Sequence, residues 1–142
     1  MEWEVGEVVC VIFIRKGECE MYQVFKLVLS EIQILLSDTE SGISDSDERG
    51  LVSYIIRSNP YVTKQVETRL SIIEHYDFNK LNESEIHDLY HVRTLVAGVY
   101  NTFYSFGKNI DDLYFVPNDY KRYVSEIQIE IESLLDCLED DR

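Results

Sequence analysis

The stretch NESEIHDLYHVRTLVAGVYNTFYSFG, residues 82–107, decides the fold class. It opens on Asn82 with Glu85 three residues later. At that spacing a capping side chain and a returning carboxylate satisfy each other's backbone N–H groups. Behind the cap, Ile86, Leu89, Val92 or Arg93, Val96, Val99 and Phe103 recur at steps of three and four. That period puts them on one stripe and predicts a helix over residues 83–105, with Gly107 ending it. Such a stripe must be buried against other elements, so the flanking sequence has to supply them.

It does so on both sides. After Pro117, Asn118 is the expected cap of a last helix whose stripe is Tyr120, Val124, Ile127, Ile131, Leu134 and Leu138. Upstream, Asn59-Pro60 reads as a restart of the chain, because Pro is preset for a first helical turn and Asn caps it. This divides the region into one helix from the capping-box-like pair Asp45 and Glu48 to Ser58, and another carrying Val62, Val66, Ile73 and Tyr76. Met21, Phe25, Val28, Ile32 and Leu35 predict a further helix over residues 20–37. Asp38 to Ser46, with Ser41-Gly42, reads as a polar, acidic loop.

Two short apolar runs have a different pattern. Val8 to Ile14 is continuous and rich in β-branched residues, as a buried strand requires, and residues 112–116, ending ahead of Pro117, form a second strand candidate. A lone strand leaves its backbone groups unsatisfied, so the two are expected to pair. The expected architecture is mainly α: a single globular domain over residues 1–142, a bundle of five helices with a small N-terminal β element. A length of 142 residues with 45% hydrophobic side chains suits one core.

The negative charge is uneven. The formal net charge is −14, and residues 38–50 carry five acids against one base, while residues 124–142 carry seven acids against one base. A field of this sign repels phosphate backbones and attracts basic surfaces, so direct nucleic-acid binding is not expected. Cys10, Cys19 and Cys137 are odd in number and lack a CxxC spacing, which points to a reducing compartment. The start Met1-Glu2-Trp3-Glu4 is acidic where a secretory signal needs basic residues. Val8 to Ile14 also falls well short of the ~20 residues that span a bilayer, so a cytoplasmic protein without membrane attachment is expected.

Candidate chemistry is sparse. His87 and His91 stand at i and i+4, a spacing that can clamp one metal ion. His87-Asp88-Leu89-Tyr90-His91 resembles the zinc-protease pattern HExxH, with the shorter Asp88 in the position of the catalytic Glu. Arg69 and His75 have a spacing similar to the Arg–His pair of HEPN ribonucleases, which are small all-α domains. The resemblance implies RNA cleavage at that pair, although Leu70 stands where the family has a polar residue. On a continuous helix their six-residue offset separates the two side chains by about 120°. No glycine-rich loop matches a nucleotide cradle, and Asp111-Asp112 lack the alternation of a calcium loop.

The reading that uses the strongest feature is a small, acidic, non-enzymatic binding protein without a cofactor. It would act as a stoichiometric inhibitor, an immunity or anti-defence protein, docking on a basic, nucleic-acid-handling partner. The docking residues expected are Asp45, Asp47 and Glu48 in the first acidic cluster and Glu126, Glu130, Glu132, Asp136 and Glu139 in the last helix. Tyr114 and Tyr120 join them from a tyrosine cluster around residues 107–117, where tyrosine serves equally well as interface or as core cover. The alternatives are a HEPN-like or metal-dependent small helical enzyme, and a self-associating adaptor that forms a homodimer through the tyrosines.

Overall fold

Asn82 Oδ1 accepts from the Glu85 N–H at 2.8 Å, and Glu85 Oε1 accepts from the Asn82 N–H at 2.9 Å, so the expected capping box is formed. The computed structural model describes residues 20–77, 79, 81–110 and 115–140. Among these there are four helices and no strand: α1 (Glu20–Ser44), α2 (Glu48–Glu74), α3 (Glu83–Asn109) and α4 (Pro117–Asp140). The strand expected over residues 8–14 lies outside the described residues. So does most of its proposed partner, whose last two residues, Phe115 and Val116, are in no strand.

Three inter-helix bonds set the topology. Tyr54 Oη near the start of α2 donates to Thr39 O near the end of α1, and Asn59 Nδ2 in α2 donates to Phe103 O late in α3. Ser125 Oγ early in α4 donates to Glu40 late in α1 at 2.6 Å. Each pairing joins opposite ends, so the helices run up, down, up, down around one core. α1 lies between α2 and α4 and buries Met21, Val24, Phe25, Val28, Leu29 and Ile32. The backbones of α3 and α4 approach each other less closely than those of the other three neighbouring pairs.

Of the expected stripes of α3 and α4, all but the half-buried Ile86 are buried: Leu89, Val92, Val96, Val99 and Phe103, and Tyr120, Val124, Ile127, Ile131, Leu134 and Leu138. Arg93, the alternative to Val92, is exposed.

The count of five helices is corrected to four among the described residues, because the two helices expected on either side of Asn59-Pro60 are one. A proline inside a helix removes one backbone bond and crowds the preceding turn, at about 3 kcal/mol. Here the buried stripe Ile55, Asn59, Val62, Val66, Leu70 and Ile73 passes through Pro60 in one register. Asn59 is 2% exposed, and its side chain bridges Phe103 O and the Tyr120 hydroxyl rather than capping.

The acidic loop expected over Asp38–Ser46 is corrected as well, since α1 continues to Ser44. Thr39 and Ile43 extend the apolar stripe inward, and the Thr39 hydroxyl donates to Leu35 O at 2.8 Å. The cap of α2 is Asp47, not Asp45: Asp47 Oδ1 accepts from the Gly50 N–H at 2.7 Å. Gly107 does not end α3, which runs on to Asn109. Its bare Cα instead leaves room for Asn59, whose Nδ2 would lie 3.0 Å from an added Cβ. Asn118 is not the cap of α4, because Pro117 is its first residue and Val116 O accepts from the Asp119 N–H.

Candidate functional site

At 100° per residue, the α4 positions left over from its buried stripe point outward. Glu126, Ile129, Glu130, Glu132, Ser133, Asp136 and Cys137 are all exposed. None of the four acids has a basic partner among the described residues, where the ion pairs are Lys64–Glu67, Arg69–Glu31 and Arg122–Asp119. The charge of Glu130 reaches inward: with burial, which is the larger cause, it raises the pKa of Tyr123. Glu139 belongs to the same helix, one turn beyond Asp136.

Ile129, 69% exposed, interrupts this acidic surface. It stands on the wall of a groove of about 290 Å³ at the α3–α4 seam. Leu95 and His91 line the groove from α3, and Glu130, Leu134 and Cys137 line it from α4. The lining is mainly apolar, with Glu130 its one acid and His91 and Ser133 its other polar side chains.

The first acidic cluster is elsewhere. Asp45 is exposed in the turn between α1 and α2, Asp47 is committed to its capping bond, and Glu48 is the first residue of α2. Because α1 and α4 run antiparallel, with Glu40 beside Ser125 and Gln128, Asp136 lies about 16 Å further along α4, toward the opposite end of the bundle. Asp136 and the Asp45–Glu48 cluster thus lie toward opposite ends of the bundle, while Glu126, next to Ser125, lies at the Glu40 end of α4.

The tyrosines divide. Tyr120 is corrected from docking residue to core residue: it is fully buried, its hydroxyl donates to Asn59 Oδ1 at 2.9 Å, and its ring meets Phe106 at 5.0 Å and Phe103 at 5.5 Å. Burial raises its pKa strongly. Tyr114 lies outside the described residues. Sequence reasoning missed Ile129, the large apolar residue most exposed on α4. Its signal was present, since it falls between Ile127 and Ile131 of the buried stripe and cannot share their face.

The catalytic candidates each have a structural position. Asp88 accepts a short hydrogen bond from the Tyr22 hydroxyl, tying the start of α1 to the start of α3. His87 and His91 are exposed with ring centroids 6.0 Å apart, and among the described residues no third His, Cys, Asp or Glu completes a metal-binding group with them. The Arg69 guanidinium is held by Glu31 Oε1 at 3.1 Å and Gln65 Oε1 at 2.6 Å, with its side chain 13% exposed. His75 caps α2, its Nδ1 2.7 Å from Ser71 O. Arg69 and His75 thus have separate partners and share no contact. A groove of about 750 Å³ between α2 and α3 is lined by the Lys64–Glu67 pair, Tyr100 and Asn101, and no histidine lines it.

No protein-family model matches the chain, and neither a curated protein nor a solved structure matches it at significance. Among the described residues, no helix is long and apolar enough to cross a membrane.

Proposed function

We propose that this chain is a non-enzymatic, stoichiometric binding protein that docks on a basic partner protein through the outer face of α4. It would act as an inhibitor or immunity-type protein does, by covering a cationic, nucleic-acid-handling surface. The observation that carries the reading is the placement of Glu126, Glu130, Glu132 and Asp136: all exposed, on one helix, with no basic partner among the described residues. Local stability does not account for them, because Glu126 and Glu130, and Glu132 and Asp136, are like charges at i and i+4, which weaken a helix. A one-signed surface of this kind steers a basic protein into encounter and repels nucleic acid.

The test is affinity capture from the native host at low and high salt, with the wild type and with the quadruple variant E126K/E130K/E132K/D136K. The wild type should retain a cationic protein at low salt and release it at high salt, and the variant should retain little of it. With that protein purified, the variant should associate at least about tenfold more slowly at low salt. Equal association rates for variant and wild type would refute the reading.

A further inference from the structure

We infer that the α3–α4 groove receives a cationic amphipathic helix of the partner, with an apolar anchor seated between Leu95, Ile129 and Leu134 and basic residues on Glu126, Glu130 and Asp136. This deepens the reading above and rests on it. Charge alone would need no apolar contact, yet the acidic face has Ile129 at 69% exposure beside a mainly apolar groove. A helix is the form the groove selects. Both of its walls are helices whose mid-helix backbone groups are already bonded, so an extended segment would find no edge with which to pair. A bound segment must satisfy its own backbone, and a helix presenting anchors at i, i+3 and i+4 does so. Charge complementarity sets the sign of the occupant. A second copy of this chain would bring −14 against −14, and a phosphate-bearing polymer or an anionic lipid surface would be repelled.

Two labelled peptides of about five helical turns test this by fluorescence anisotropy on the full chain. One has leucines along a single helical face and lysines elsewhere. The other has the same composition scrambled so that no apolar face forms. The amphipathic peptide should bind with a stoichiometry of one, at least about tenfold tighter than the scrambled one, as burial of one large apolar side chain provides. Ile129→Ser should remove most of that difference without lowering the melting temperature, since the side chain is exposed. Glu130→Lys with Asp136→Lys should weaken both peptides and flatten the salt dependence.

Equal binding of both peptides, unaffected by Ile129→Ser, would overturn the groove while leaving electrostatic docking intact. Binding of neither peptide at low salt would overturn the groove and also remove the support for docking. A lower melting temperature for Ile129→Ser would mean that this chain fills the groove itself. Loss of a dimer in sedimentation of that variant would mean that a second copy does. Either result would overturn the inference.

Discussion

Asn59 and Tyr120 form the most consequential polar contact in the core. The Tyr120 hydroxyl donates to Asn59 Oδ1, and Asn59 Nδ2 donates to Phe103 O, so three helices meet on one amide. Tyr120→Phe leaves that carbonyl oxygen buried and unpaired, and should cost about 1–3 kcal/mol in a denaturant titration. Two glycines supply an opposed pair of expectations. A Cβ on Gly42 would overlap the Tyr54 ring, whereas one on Gly98 would meet nothing within 4 Å. Gly42→Ala should therefore destabilise by about 1–3 kcal/mol as the ring is displaced. Gly98→Ala should stabilise by about 0.5–1 kcal/mol through helix propensity. Thermal melts of the two variants check both signs.

At the scale of the element, α2 is the helix that sequence reasoning divided in two. Pro60 has no N–H to offer Ile56 O, and the helix continues because its buried stripe keeps one register across the proline. Pro60→Ala restores the missing bond but frees the unfolded chain, so a net gain of about 1–2 kcal/mol is expected by chemical denaturation. A destabilised variant would mean that the proline shapes the helix rather than interrupting its bonding. The α1–α4 contact predicts an acid limb. Hydrogen bonds from Ser125 and then Gln128 hold the Glu40 carboxyl below its ordinary value of 4.5. A carboxylate with a depressed folded pKa contributes stability above its unfolded pKa, and the contribution is lost as pH falls through the folded value. The wild type should lose more stability between pH 5 and about pH 3 than Glu40→Gln, which keeps an acceptor but does not titrate. Melting the two across that range is the measurement.

For the molecule as a whole, the charge opposes the compact state by self-repulsion. The quadruple reversal on α4 adds two charges per site and moves the formal net charge from −14 to −6. It should raise stability in low salt, and about 1 M salt should erase most of the difference between variant and wild type. Unequal stabilities that persist in high salt would show that the α4 acids make contacts other than Coulombic ones. On this account the acid costs the folded chain stability in low salt.

Much was legible in the sequence because it depends on neighbours in the chain. The Asn82–Glu85 box closes within three residues, and the stripes of α3 and α4 follow from a period of 3.6. The acidity of the outer face of α4 is what those stripes leave over. Other features depended on residues far apart in sequence. Asn59 reads as a cap until Phe103 and Tyr120, 44 and 61 residues away, are found to take both ends of its amide. Tyr120 reads equally as interface or core until the aromatic cluster with Phe103 and Phe106 encloses it. The groove beside Ile129 lies between α3 and α4, whose backbones are the most widely spaced of the neighbouring pairs, and no local pattern encodes a seam between two helices. By itself the sequence determined that the chain is mainly helical, most of the stripes that α3 and α4 bury and where the charge lies, since these are set by local hydrogen bonding and periodicity. Only the tertiary structure decided which polar groups are satisfied inside and which apolar residue is left outside, since both depend on what packs against them.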